Sequence, residues 1–367
     1  MEIDGFAPGN LGVSYLGVRA PTIFILEKSL RVDSASTMPR LLDSLRVGSL
    51  RFRNRIVMPP MATGFCTEEG EVTERLVRHY ASRSKDLGLL IVEHTYVAPE
   101  GRLSVGQPGI YSDGLISGLK RLVEAVHRNG TPIALQINHA GGATTREVCG
   151  VQPLAPSPVM IPSRGHELPR AMSRREIEDV IQAFKEAAVR AVEAGFDAVE
   201  VHGAHGFLLN QFLSPLTNKR SDEFGGPLKN RVLLPLRIVE EIRLELGDYP
   251  VLYRLGVEDM MPGGLTLQEG AEAARMIAEK GVNIIDVSGG LIGSRPPGLE
   301  GPGYLVPQAE AVKEATGIPV IGVGGITTAE EADAIIQSGR VDLVAVGRAI
   351  LKDPKWASKA VNILGHK

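Results

Sequence analysis

From Arg55 onward the chain alternates short apolar, β-branched runs with longer stretches in which apolar residues recur at helical spacing. Eight runs read as strands: IVMP at 56–59, LLIVE at 89–93, IALQI at 133–137, DAVEVH at 197–202, VLYRL at 251–255, NIIDV at 283–287, PVIGV at 319–323 and DLVAV at 342–346. Near-continuous apolar runs of this length suit strands buried on both faces of a parallel sheet. Between them, Ser173-x-x-Glu176 and Thr266-x-x-Glu269 are capping boxes, in which hydroxyl and carboxylate satisfy the orphan amides of a first helical turn. Ala183, Ala187, Ala188, Ala191 and Val192 give one helix its apolar face, and Gly195 stops it; the same grammar recurs before Gly281 and Gly339. Eight evenly recurring β/α units predict an α/β protein with a (β/α)8 TIM barrel, where an open doubly wound sheet would not need eight. Chemistry in such a barrel sits at the C-terminal strand ends.

Residues 1–38 carry no clean period and read as an N-terminal extension. It either precedes a true start at Met38 or packs on the barrel, with 39–367 as the single barrel domain. Composition narrows the class. With 43% hydrophobic and 23% charged residues the chain is an ordinary globular protein, and its net charge of -3 leaves no basic footprint for nucleic acid. No apolar run approaches the ~20 residues of a membrane helix. The start MEIDGFAPGN lacks the basic and apolar regions of a signal peptide, which points to the cytoplasm. Cys66 and Cys149 are the only cysteines, too few for a four-cysteine iron–sulfur cluster or zinc site. They read as two free thiols, with a disulfide between them left open. The 42 glycines imply many tight turns or close backbone approaches to a ligand.

Candidate chemistry clusters at the strand ends. Gly324 and Gly325 after the seventh strand, with Gly347 and Arg348 after the eighth, suit a phosphate held by backbone amides and a guanidinium; plain βα turns are the alternative. His202-x-x-His205 ends the fourth strand and could donate hydrogen bonds to a carbonyl or phenolate oxygen, act in acid/base chemistry, or bind metal with His139 as third ligand. No supporting carboxylate pattern accompanies it, so no metal is assigned. Gln136 and Arg254 interrupt apolar strands; Arg254 requires an electron-rich partner, either a ligand or a carboxylate such as Glu93 or Glu200. His94, Tyr96 and residues 98–102 decorate the second strand's end, and the double proline at 59–60 leaves a rigid turn suited to lying beneath a planar ligand or simply ending a strand.

Together these residues resemble the old yellow enzyme family of FMN-dependent oxidoreductases. The resemblance runs from about Leu41 to Asp353 and is most specific in HGAHGFLLNQFLSP at 202–215 and TNKRSDEFGGPLKNR at 217–231, with PPMAT at 59–63 and QINHAG at 136–141 adding support. It implies non-covalent FMN at the barrel mouth, with Pro60, Met61 and Ala62 against the isoalloxazine and Gln136 on its pyrimidine edge. Arg254 would lie beside N1 and O2, and Gly324, Gly325, Gly347 and Arg348 would hold the phosphate. His202 and His205 would polarise a substrate oxygen. NADH or NADPH would supply hydride, which passes to an activated, enone-type alkene. The chain departs from the family pattern at Phe207, where a tyrosine proton donor is usual; Tyr96 or bound water are the substitutes considered. Ala62 stands where some members carry cysteine. The short tail after Asp353 and the missing cysteines imply a stand-alone barrel, unlike the clustered dienoyl-CoA reductase and trimethylamine dehydrogenase types.

The expected partners are small molecules, with no nucleic acid or membrane, and a second copy of the chain as a candidate. Two other classes stay open: a phosphate-binding barrel lyase or isomerase using the His202/His205 pair, and a flavin-binding barrel whose catalysis is lost or altered through Phe207.

Overall fold

In the computed structural model, residues 38–162, Arg164 and residues 166–366 are described. The proposed extension therefore lies outside the described residues except for an exposed Met38. All eight expected strands form: β1 Ile56–Met58, β2 Leu89–Tyr96, β3 Ile133–Asn138, β4 Ala198–Gly203, β5 Val251–Gly256, β6 Ile284–Ser288, β7 Val320–Val323 and β8 Leu343–Ala345. Each pairs in parallel with its sequence neighbour, and β8 pairs with β1, closing the barrel. The outer ring is α1 Glu74–Ala81, α2 Ile116–His127, α3 Arg174–Glu193, α4 Leu233–Leu246, α5 Leu267–Glu279, α6 Val306–Thr316, α7 Ala329–Gln337 and α8 Trp356–Gly365.

Helix starts follow the sequence closely. Both expected capping boxes close in both directions, and Thr328 with Glu331 forms a third at α7. Gly195, Gly281 and Gly339 adopt left-handed φ of 89°, 99° and 72°, the conformation that ends a helix most cheaply in glycine. One detail of α3 differs. Ala183 is only half-buried and Val192 is exposed, because at 100° per residue both fall at the edges of the stripe that Ile177, Val180, Ile181 and Phe184 form with Ala187, Ala188 and Ala191.

Strand alternation builds two cores. Outward-facing residues such as Leu90, Val199 and Tyr253 pack against the helices. Inward-facing Leu89, Ile91, Ala134, Ala198, Leu252, Ile284, Ile321 and Leu343 form a separate apolar cluster. An antiparallel hairpin, Leu45–Val47 with Leu50–Phe52, adds Val47, Leu50 and Phe52 to that inner cluster and closes the barrel floor. The interior thus begins apolar, then gives way toward the strand C-termini to Gln136, Glu200, Arg254 and Asp286, all buried.

Candidate active site

A cavity of about 950 Å³ opens at the C-terminal strand ends, near the upper limit of the ~300–1,000 Å³ usual for small-molecule sites. Pro60, Met61, Ala62, His205, Arg254, Gly324, Gly325, Gly347 and Arg348 all line it. Gln136 and His202 do not. They are buried in the adjoining wall, the His202 ring 5.0 Å from both the His205 and Phe207 rings.

Parallel register assembles a charged layer beneath the cavity. It sets Gln136 beside Glu200, His202 beside Arg254, and Arg254 beside Asp286. Arg254 therefore pairs with Asp286, its Nε 3.1 Å from Oδ2, rather than with Glu93 or Glu200 as the sequence suggested. Asp286, the third residue of β6, is the position that the register sets opposite Arg254. Glu93 is used elsewhere. It accepts from the Thr63 amide and hydroxyl at 2.8 and 2.6 Å and from the Tyr80 hydroxyl at 3.3 Å, anchoring the segment that carries Pro60, Met61 and Ala62. Gln136 Nε2 donates to Glu200 Oε2 at 2.7 Å. Burial raises both carboxyls of the layer, Glu200 the more because the Asp286 charge opposes its ionisation while Arg254 sits against Asp286. Burial and the neighbouring Asp286 charge thus favour the protonated form of Glu200, and Asp286, in contact with Arg254, is the counter-ion.

Above that layer lie the histidines. His205 sits at a left-handed φ of 60°, an uncommon conformation for a side-chain-bearing residue, between β4 and Gly206. Its amide donates to the Gly289 carbonyl at 3.1 Å, and its Nε2 meets the Ser288 hydroxyl at 2.6 Å. His202 Nδ1 accepts from the Ala204 amide at 3.3 Å, which leaves the proton of the neutral ring on Nε2. Burial first, then neighbouring positive charge, holds both rings well below the ordinary histidine pKa, so both are neutral donors near pH 7.

The second strand supplies a residue whose role the sequence left open. Register between β2 and β3 slips by one residue between Val92 and Thr95, a bulge that turns His94 into the cavity wall. His94 Nδ1 meets Gln107 Nε2 at 2.8 Å, and burial pushes its pKa down to about 4. Tyr96 does not reach the cavity. Its hydroxyl donates to the Glu69 carbonyl at 2.8 Å and its ring stacks on Tyr111, so it is removed as a proton donor. Phe207, at the start of the short helix Leu208–Leu213, lines the cavity with its ring 5.6 Å from His94. Ser288, Arg164, Arg295 and Tyr304 also line the cavity and were missed. Ser288 follows directly on the β6 run and was open to a strand-end search; the others come from long loops without local signature.

The opposite side is shaped for an anion. Gly325 has a left-handed φ of 59°, and a Cβ there would lie 2.1 Å from the Gly301 carbonyl oxygen. Among the described residues, no acceptor meets the backbone amides of Gly325, Gly347 or Arg348. Donors without protein partners at a cavity wall suit phosphate oxygens. His139, the third ligand considered for a metal, is buried with Nδ1 accepting from the Gly141 amide at 3.0 Å. Among the described residues, no three metal-ligating side chains are grouped to hold an ion. Cys66 and Cys149 are both free, and no helix among the described residues is long and apolar enough to cross a membrane.

Residues 40–365 match the sequence family described as NADH:flavin oxidoreductase / NADH oxidase. The chain is 44% identical over 330 residues to an NADH oxidase of Thermoanaerobacter brockii, covering 88% of this chain and 50% of that protein. It therefore spans half the length of that relative. It is 40% identical over 327 residues to an NADPH dehydrogenase of Geobacillus sp. (strain WCH70), covering 89% of this chain and 94% of the other. Among solved structures, morphinone reductase superposes with a TM-score of 0.79 at 29% identity, covering 90% of each chain.

Proposed function

The chain belongs to the NADH:flavin oxidoreductase / NADH oxidase family, the old yellow enzyme family with FMN as cofactor, and from that premise we propose that it passes hydride from NADH or NADPH to an activated alkene conjugated to a carbonyl or similar group. The cavity fits FMN in volume and in its donors: among the described residues, the amides of Gly325 and Gly347 have no partner, Arg348 lies beside them, and Arg254 is on the wall with no protein acceptor on its Nη atoms. When bound, FMN supplies the hydride relay between nicotinamide and acceptor.

In this reading the chain's residues divide the work. Gly324, Gly325, Gly347 and Arg348 hold the phosphate, and Pro60, Met61 and Ala62 lie against the ring system. Arg254, fixed by Asp286, places a permanent cation where negative charge grows on reduction. Gln136 gives its amide N–H to Glu200 and keeps Oε1 for a ligand donor. His202 and His205 donate hydrogen bonds to the acceptor's oxygen as it gains charge, and Ser288 orients His205. The observation that carries the reading is geometric: among the described residues, His205, Arg254 and the partnerless amides of Gly325, Gly347 and Arg348 converge on one cavity at the strand ends, and burial favours neutral imidazoles, which polarise a carbonyl without protonating it outright. Phe207 cannot give the final proton. Within the cavity wall that leaves the Tyr304 hydroxyl, which donates to the Ser294 carbonyl at 3.1 Å, the His94 Nε2–H, whose tautomer the Gln107 amide favours, or solvent.

Purified protein reconstituted with FMN should bleach anaerobically on NADH or NADPH and recover its colour on adding an enone. Failure to take up FMN would favour a lyase or isomerase. Phe207 also favours a second reading, a barrel with altered catalysis, which predicts bleaching without recovery by any alkene.

A further inference from the structure

Among the described residues, the cavity wall carries Arg164, Arg254, Arg295, Arg348 and Lys352 against one carboxylate, Asp353, which Lys359 already neutralises at 2.6 Å. Two of the cations have assignments: Arg254 pairs with Asp286, and Arg348 flanks the unpartnered amides of the phosphate side. Arg164 has none. It is half-buried, and among the described residues its guanidinium meets no carboxylate and no hydrogen-bond acceptor. Its guanidinium lies over the face of Phe207, 4.8 Å from the ring centroid.

That contact fixes where the charge lies relative to the chemistry. The Phe207 ring is 5.0 Å from His202, 6.4 Å from His205 and 5.6 Å from His94. Arg164 is thus one aromatic ring away from the donors expected to hold the acceptor's oxygen, and close enough to oppose protonation of all three histidines. A guanidinium withdrawn from water without a counter-ion is unfavourable, and a ring face replaces only part of its hydration. Its five donors in a fixed fork match the oxygens of a carboxylate or phosphate. A neutral enone would leave that fork empty.

We propose that Arg164 anchors an anionic group of the acceptor, so that the substrate class is an activated alkene bearing a carboxylate or phosphate about one ring's breadth from the oxygen held by His202 and His205. This deepens the proposed function and rests on it for the identity of the acceptor. Binding can be measured without turnover, by calorimetry on the oxidised FMN-loaded protein, with 4-hydroxybenzoate and its methyl ester as probes that share the phenol ring and differ in charge. Wild type should prefer the acid, and Arg164→Met should reduce the acid-to-ester affinity ratio by about 10- to 100-fold, the loss of a charge-assisted hydrogen-bond pair. Arg164→Lys should recover part of the preference. An equal loss for acid and ester would make Arg164 a packing residue and overturn the proposal. So would an unchanged ratio accompanied by a raised KM for NADPH alone, which would assign the guanidinium to the nicotinamide's extra phosphate. If the acid preference depends on Arg164 but no alkene reoxidises the protein, the anion site stands and the alkene reading fails.

Discussion

Replacing Asp286 with Asn tests the charged layer beneath the cavity. Asp286 lies 3.1 Å from Arg254, and their side chains are 0% and 5% exposed. At that distance, and with an effective dielectric near 20, the attraction is about 5 kcal/mol. Removing one partner of a buried pair typically costs ~3–5 kcal/mol because the other charge is left uncompensated. Glu200 limits the damage: once Asp286 no longer opposes it, its carboxyl can ionise toward Arg254. The expected loss for Asp286→Asn is therefore at the lower end, about 3 kcal/mol at pH 7. Glu200→Gln should cost under about 1 kcal/mol, since the amide replaces a carboxyl whose protonated form burial and Asp286 favour. Equilibrium unfolding of the FMN-free protein in urea, compared at constant m, reads both. In the loaded protein the Asn variant leaves Arg254 less compensated, so the two-electron potential of bound FMN should rise, about 30 mV for each 1.4 kcal/mol. Equal costs for the two variants, or a lowered potential, would refute the assignment of proton to Glu200 and charge to Asp286.

Gly325→Ala places a Cβ 2.1 Å from the Gly301 oxygen at a left-handed φ; FMN affinity, followed by flavin fluorescence, should fall about 5- to 150-fold through strain of ~1–3 kcal/mol, and unaltered affinity would move the phosphate elsewhere. Phe207→Tyr should raise turnover on simple enones if protonation limits them, and an unchanged rate with no solvent isotope effect would remove that explanation. Because the folded pKa of His202 and His205 lies well below 6.5, both stay neutral from pH 8 to 6; kcat/KM for the acceptor should show no histidine inflection there, and one near 6.5 would contradict their neutrality. His139 is buried with its pKa pushed down to about 4. A depressed histidine binds its proton first in the unfolded state, so its contribution is present above pH 6.5 and lost as pH falls toward 4, by about 3 kcal/mol. His139→Asn should flatten the pH dependence of stability over that window.

The barrel was legible because each strand is buried on both sides and each helix start is written in local chemistry. Continuous apolar runs mark the one, and Ser173/Glu176 and Thr266/Glu269 mark the other. Much of the cavity wall was legible for the same reason: it sits at strand ends, where a polar residue in an apolar run stands out, as Arg254 does. What could not be read was anything decided by register or by loop path. The partner of Arg254 depends on which β6 residue lies opposite it. His94 faces the cavity, and Tyr96 does not, because of a one-residue bulge that leaves no trace in hydropathy. Arg164 and Arg295 reach the wall from loops whose course is set by packing far along the chain.

The central claim is that this barrel relays hydride from a nicotinamide to an electron-poor alkene. Anaerobic titration of the FMN-loaded protein tests it directly: stepwise NADH or NADPH should bleach the flavin absorbance one equivalent per FMN, and a carboxylated enone should restore it at the same stoichiometry with the saturated product formed. Bleaching that only oxygen reverses, or no bleaching by either nicotinamide, would contradict the account.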